Sequence, residues 1–275
     1  MMVSAACAYL FSTNMPEMLN CGGIMNNRNK HFCKNIKIFA AGSLKSPLRQ
    51  IVDEYSQVSN VSVDLELGPS GILKNRIMAG ERADLFLSAN HAHARELMVH
   101  GRTGEVIAFA TNELCLFGRF APCGDDEQLL AVMLDETLRL ATSTPGDDPG
   151  GDYAFEVFKR ADFLKPGVSA ILAAKSKQLV GGKDSTAPPP GIHAVAQLFF
   201  NDETDIFLGY YTSALIVREQ VGNIHIEKLP KQIACKTEYT MARLSSTSLE
   251  AEKIASFILS SRGGEILQQH GFGLP

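Results

Sequence analysis

The sequence predicts an α/β protein with two lobes, and two observations support this fold class. From Ile36 onward, short apolar strands alternate with amphipathic helices, which is typical of parallel βαβ units. After an apolar strand at 109–117 the same alternation begins again, so the chain holds two rounds of such units. Ligands of open α/β sheets bind at the carboxyl ends of strands, beside the N-termini of helices. The strand-to-helix turns are therefore the first places to examine for a binding site.

In the first round, continuous apolar runs or strictly alternating runs predict strands, and longer stretches that follow a Gly or Ser turn predict helices. The strands are IKIFAA at 36–41, VSVDLEL at 61–67, ADLFLS at 83–88 and the run at 109–117, and the helices lie at 44–57, 72–79 and 91–100.

The same signals predict the second round, which a Gly/Pro-rich loop, GGKDSTAPPPG, interrupts at 181–191. Strands are predicted at 139–143, 205–208 and 240–244, with an alternating stretch at 224–229. Helices are predicted at 127–134, 153–160, 170–177, 191–200, 212–221, 249–259 and 265–270.

Composition limits the possible functions. The 275 residues include 26 Lys and Arg against 30 Asp and Glu, so the formal charge is −4, and 45% of the residues are hydrophobic. These values are ordinary for a folded globular protein and argue against a disordered chain. An acidic chain is a poor partner for nucleic acid. No apolar run reaches the roughly 18 residues that span a bilayer.

Residues 1–35 differ from the rest and are interpreted as a leader or a disordered extension. The apolar run VSAACAYLF at 3–11 resembles a signal-peptide core, but no Lys or Arg precedes it and no clear cleavage site follows. Upstream sequence from a misplaced start is the alternative, with Met25 as a second start. The six cysteines have no zinc-site spacing, and Cys115 is expected to be a buried small hydrophobe.

Three strand-to-helix turns carry candidate ligand groups. Ser43 and Ser70 each stand near the free N–H groups of a following helix, where an oxyanion can bind, although a serine there is also an ordinary helix cap. In STPGDDPGGDYA at 143–154, Gly150 lets the backbone approach a ligand closely. Asp147 and Asp148 are unsuited to an anion and are expected to cap the helix or face solvent.

A fourth turn, LGYYTSA at 208–214, places a tyrosine hydroxyl where it can donate to a ligand, or where the ring only packs at a rim. Enzyme signatures are poor, because neither a GxSxG elbow nor an HExxH motif occurs.

Four segments together resemble the molybdate-binding proteins of ABC transporters. They are FAAGSLKSPLRQIVDEY at 39–55, GPSGILKNRIMAGERADLFLSA at 68–89, DPGGDYAFEVF at 148–158 and ASFILSSRGGEILQQHGFG at 255–273. The resemblance implies a two-lobed periplasmic-binding-protein-like fold of type II, with the ligand in the cleft between the lobes. The lobes would comprise 36–119 with 231–275, and 120–230, joined near 117–121 and 229–233.

The resemblance also implies a ligand set. The family's two serines fall on Ser43 and Ser70, its amide contacts on Gly150 and Ile192, and its tyrosine on Tyr210, with Tyr211 as the neighbouring alternative. Such a site binds molybdenum only as the molybdate oxyanion, and no side chain coordinates the metal atom directly. Hydroxyls and amides alone offer no counter-cation and no proton acceptor, so they suit a fully ionised tetrahedral dianion such as molybdate, tungstate or sulfate.

The functional expectation is a monomeric periplasmic binding protein that needs no cofactor and delivers molybdate or tungstate to an ABC transporter permease. One alternative is a cytosolic oxyanion sensor of the same fold, and another is an enzyme acting on a small anionic substrate. The sequence departs from the family at Gly150, where the family commonly has Ala, and at the insertion 181–190 before Ile192.

Overall fold

The computed structural model describes residues 35–59, 61–244 and 248–275. Apart from Asn35, the predicted leader or extension at 1–35 lies outside these residues. In the described part, helices cover a mixed sheet, and none of those helices is long and apolar enough to cross a membrane.

The elements have bounds close to most of those predicted from the sequence. The strands are β1 (Asn35–Ala41), β2 (Ser62–Gly68), β3 (Leu85–Ser88), β4 (Thr103–Gly118), β5 (Leu140–Ser143), β6 (Lys177–Val180), β7 (Ile206–Tyr210), β8 (His225–Lys228) and β9 (Lys236–Leu244). The helices are α1 (Lys45–Val58), α2 (Ser70–Met78), α3 (His91–Val99), α4 (Asp126–Leu134), α5 (Pro149–Ala161), α6 (Val168–Lys175), α7 (Ala194–Phe200), α8 (Tyr211–Val221), α9 (Leu249–Ile258) and α10 (Ser261–Gln269).

The sheet has two halves that share the long strand β4. In the first half-sheet, β2, β1 and β3 are parallel, and β9 lies antiparallel between β3 and β4. In the second half-sheet, β4 pairs antiparallel with β7 and β8, and β5 lies parallel between β7 and β6. β4 pairs with β9 up to Glu113 and with β7 from Leu114 onward. The bounds of the two lobes given above remain a prediction.

Among the strands, the two largest differences from the sequence-based prediction both result from pairing between distant segments. The helix predicted over 170–177 ends at Lys175, and Lys177–Val180 forms β6, which pairs with β5. Strand β4 begins at Thr103 rather than at 109, because β9 runs alongside its first part. Neither short segment carries enough periodicity to reveal a partner that lies far away in the sequence.

The core explains why these segments form these elements. In β1 the side chains of Ile36, Ile38 and Ala40 are fully buried, and the amphipathic helix α1 buries Leu48 and Ile51 against the sheet. Each large aliphatic side chain buried in this way contributes about 1.5–3 kcal/mol to the free energy of folding. Cys115, at 1% exposure, is confirmed as a buried small hydrophobe.

Two adjacent glycines near the start of α10 provide a test of this packing. A Cβ atom at Gly263 would lie 2.2 Å from the carbonyl oxygen of Ile258, whereas one at Gly264 would lie 3.4 Å from the Leu274 side chain. We expect Gly263→Ala to destabilise the protein by about 1–3 kcal/mol, because a backbone atom must move. Gly264→Ala is the matched control, and alanine's better helix propensity should leave it at least as stable as the parent. Urea unfolding measures both, and equal stabilities would contradict the predicted packing.

Candidate functional site

A cavity of about 570 Å³ lies at the carboxyl ends of strands from both half-sheets. Each predicted site residue follows a different strand or loop, yet the fold brings all of them to this cavity. The five predicted residues that line it are Ser43, Ser70, Gly150, Ile192 and Tyr210.

The two serines are adjacent because β1 and β2 are parallel and in register. Ala41 at the end of β1 lies opposite Gly68 at the end of β2, so the turns that follow them stand side by side. The Ser70 side chain is buried at 1% exposure, and its Oγ accepts the Ala89 N–H at 3.2 Å. Neither serine fills the N-cap position of the helix that follows it. The ordinary capping alternative therefore does not explain these two hydroxyls.

Ser43 is held by a buried tyrosine that sequence reasoning did not identify. Its Oγ lies 2.9 Å from the hydroxyl of Tyr239 on β9. Tyr239 is fully buried, and its ring packs edge-on against Phe272, with ring centroids 5.3 Å apart. A serine hydroxyl at the cavity wall is thus connected to the interior of the sheet.

The turn before α5 presents both an amide and a carboxylate. Asp148 caps α5, as one of the predicted alternatives required, and its Oδ1 accepts the Gly150 N–H at 2.8 Å. Both residues line the cavity. Burial raises the pKa of Asp148 to about 6, against the opposing effects of the Gly150 N–H and Ser143. The amide expected to contact the ligand is therefore bonded to a carboxylate that is close to protonation at neutral pH.

The wall formed by the 181–191 loop brings Ile192 and His193 to the cavity. The Ile192 N–H donates to the carbonyl of Pro189 at 3.1 Å, so this predicted ligand amide is used within the loop. His193 caps α7 by accepting the Val195 N–H at its Nδ1. Burial, and then the charge of Lys45, lower the pKa of His193 to about 4. The ring is therefore neutral at neutral pH and carries its proton on Nε2, which makes Nε2 a donor.

Tyr210 ends β7 and lines the cavity, whereas Tyr211 lies outside its wall, with its ring near the Lys228 amine. The Tyr210 hydroxyl is buried, and no group among the residues that the structure describes meets hydrogen-bond geometry with it, although the nearby Tyr239 hydroxyl influences its pKa. Burial raises its pKa well above the usual value, so the group keeps its proton. A buried hydroxyl without a partner is costly, and a bound ligand is one way to satisfy it.

We expected a site of hydroxyls and amides alone, with no counter-cation and no proton acceptor. The cavity as a whole does not fit this expectation, because charged residues also line it. Lys45 and Arg49, one turn apart on α1, line the cavity, and Asp148 supplies an acceptor. Within residues 35–59, 61–244 and 248–275, no acidic side chain forms an ion pair with either cation. Their spacing of four residues on a predicted helix beside Ser43 was visible in the sequence, but their orientation was not.

Beside the cavity, the start of α2 is in contact with the loop that precedes α5. The Gly71 N–H at the start of α2 donates to the carbonyl of Asp147 at 2.9 Å. A Cβ atom at Gly71 would lie 2.4 Å from the carbonyl oxygen of Gly146. Only glycine allows α2 to approach the loop before α5 this closely.

Comparison with known proteins gives the chain's relatives. A family model described as "Bacterial extracellular solute-binding protein" matches residues 36–273. An uncharacterized protein of Pasteurella multocida is 32% identical over 238 residues, which cover 86% of this chain and 98% of that protein. The molybdate/tungstate-binding protein WtpA of Pyrococcus abyssi is 24% identical, over 80% of this chain and 70% of that protein.

The fold is likewise confirmed by a solved structure. The periplasmic molybdate-binding protein of Azotobacter vinelandii superposes with a TM-score of 0.68 at 17% identity, covering 87% of this chain and 99% of that one. The predicted type II periplasmic-binding fold and the resemblance noted in the sequence are therefore confirmed. The chain belongs to the family of bacterial extracellular solute-binding proteins.

Proposed function

We propose that this solute-binding protein binds a tetrahedral oxyanion, molybdate or tungstate, and delivers it to the permease of an ABC transporter from the periplasmic side of the membrane. The observation that carries the proposal is the buried Tyr210 hydroxyl, which lacks a well-formed hydrogen bond within the described residues and lies in the same cavity wall as Ser43 and Ser70. Three hydroxyls from three different turns can surround a small anion as donors. The molybdate and tungstate ligands of the relatives support this choice of anion.

The charged residues of the cavity affect the association rate of the anion and the pH dependence of its binding. The cations of Lys45 and Arg49, which line the cavity, attract a dianion toward it and so favour fast association. The Asp148 carboxylate acts in the opposite direction, because a dianion cannot share the Gly150 amide with an ionised carboxylate without repulsion. Binding of the dianion is therefore coupled to protonation of Asp148.

Ligand binding and the role of Ser70 are tested together. Thermal unfolding with molybdate, tungstate, sulfate, phosphate and nitrate should reveal stabilisation by molybdate or tungstate, of roughly 2.7 kcal/mol at a hundred times the dissociation constant. Ser70→Ala removes one donor to an anion, which is worth about 1.5–3 kcal/mol, and should weaken binding about tenfold or more. Ser256→Ala, an exposed serine on α9, is the control.

No stabilisation by any oxyanion, or equal affinity of the Ser70 and control variants, would argue against the proposal. Turnover of a phospho-ester or sulfo-ester that is lost in Ser70→Ala would instead favour an enzyme. A protein found in the cytosol with an uncleaved N-terminus would favour the sensor.

The pH dependence of molybdate affinity tests the role of Asp148. Because the pKa of Asp148 is about 6 in the folded protein, molybdate affinity should fall by up to tenfold per pH unit as the pH rises from 6 to 8. Asp148→Asn should flatten this profile and raise the affinity at pH 8, since the neutral amide no longer repels the dianion. Isothermal titration calorimetry at several pH values measures both proteins. A loss of binding in Asp148→Asn would identify the carboxylate as a required ligand group.

Association kinetics test the two cations of α1. The double variant Lys45→Ala with Arg49→Ala should slow the association of molybdate several-fold at low salt, and the difference should shrink as salt screens the charges. The double variant Lys231→Ala with Lys253→Ala removes two exposed cations outside the cavity and serves as the charge-matched control. Stopped-flow measurements at several ionic strengths give the rates. Equal slowing in both double variants would indicate a general field effect instead.

A further inference from the structure

Tyr239 is part of a buried chain of polar groups that ends at the cavity. Its hydroxyl lies 2.9 Å from Ser43 Oγ, and the amide nitrogen of Asn112 lies 3.4 Å from it. The same amide nitrogen lies 2.9 Å from Thr212 Oγ1. The chain therefore joins β4, β9 and α8 to the turn that carries Ser43.

Asn112 fixes the direction of its own hydrogen bonds and favours one direction for the bond between Tyr239 and Ser43. Its Oδ1 accepts the Glu113 N–H at 2.9 Å, so its NH₂ group must face Tyr239 and Thr212. An amide NH₂ group can only donate, so the oxygen of Tyr239 accepts. The hydrogen of Tyr239 is then free to be donated to Ser43 Oγ. With its oxygen accepting from Tyr239, Ser43 keeps its own hydrogen for a group in the cavity.

We propose that Tyr239 is a positioning residue that sets the polarity of Ser43, so that Ser43 donates to the bound anion and does not act as an acceptor. The proposal rests on the proposed function of this site. With the opposite direction of this hydrogen bond, Ser43 would donate its hydrogen to Tyr239. The lone pairs of Ser43 Oγ would then face the anion and be repelled by its negative charge.

This polarity has a consequence for selectivity. A hydroxyl held as a donor suits a fully ionised oxyanion, but at the position of Ser43 it gives no acceptor for the hydrogen of a protonated one such as hydrogen phosphate, for which Asp148 is then the acceptor in the cavity. When the hydroxyl of Tyr239 is removed, Ser43 can rotate and accept as well as donate. Tyr239 then contributes to the discrimination between molybdate and phosphate without touching either.

The experiment compares the full-length protein with Tyr239→Phe, Ser43→Ala and the double variant, with affinities for molybdate and phosphate measured by calorimetry. We expect Tyr239→Phe to weaken molybdate binding about tenfold, since a hydrogen bond to a charged group is at stake. The double variant should bind no more weakly than Ser43→Ala alone, because Tyr239 acts through Ser43. The ratio of molybdate to phosphate affinity should fall in Tyr239→Phe.

Tyr55→Phe is the matched control, because Tyr55 is a buried tyrosine on α1 outside the cavity. It should lower thermal stability without changing the affinity ratio. If Tyr239→Phe does not fold, Asn112→Ala removes the amide that sets the polarity and leaves both hydroxyls in place. The same fall in the molybdate-to-phosphate ratio is expected for this variant.

Independent, additive losses in the double variant, or an unchanged affinity ratio in Tyr239→Phe and Asn112→Ala, would overturn the proposal while leaving oxyanion binding intact. Failure of the parent protein to bind any oxyanion would overturn the proposed function itself, and the role of Tyr239 with it.

Discussion

The structure depends on the change of partner within one strand. β4 pairs with β9 along its first part and with β7 and β8 along its last part, so a single continuous strand belongs to both half-sheets. Because of this sharing, the strand ends that carry Ser43, Ser70, Gly150 and Tyr210 converge on one cavity. Asn112 stands next to the point of change, and its hydrogen bonds reach elements on both sides of it. The strand that joins the two half-sheets is thus linked to Ser43 in the cavity wall through Tyr239.

The cavity is not lined by neutral hydrogen-bond donors alone. Hydroxyls from three turns line it, but so do two cations of α1 and the carboxylate that caps α5. These opposing charges can affect the association rate and the pH dependence of binding separately, which a site of neutral groups alone cannot do. In the proposed function, the cations influence the association rate of the anion, and the carboxylate influences how its affinity depends on pH.

Much of this arrangement was predictable from local sequence. The alternation of strands and helices predicted the fold class, and the turns pointed to Ser43, Ser70, Gly150 and Tyr210, because a strand end and a helix start are both local signals. Ile192 came only from the family resemblance. Other features depend on contacts between distant segments. The hydrogen bond between Tyr239 and Ser43 joins residues 196 positions apart, and β6 is defined by its pairing with β5. Which side of a helix faces a cavity, as for Lys45 and Arg49, also depends on packing that one sequence does not specify.

The short contact at Gly71 has a consequence for how such chains can diverge. The serine before it contributes a hydroxyl to the cavity, and the glycine contributes only the absence of a side chain, which lets α2 approach the loop that carries Asp147. Two neighbouring positions are therefore restricted for unrelated reasons, one by ligand chemistry and one by steric exclusion. A chain that changed its ligand could exchange the serine for another small side chain at the cost of the hydrogen bond from the Ala89 N–H, but exchanging the glycine would require moving a whole helix.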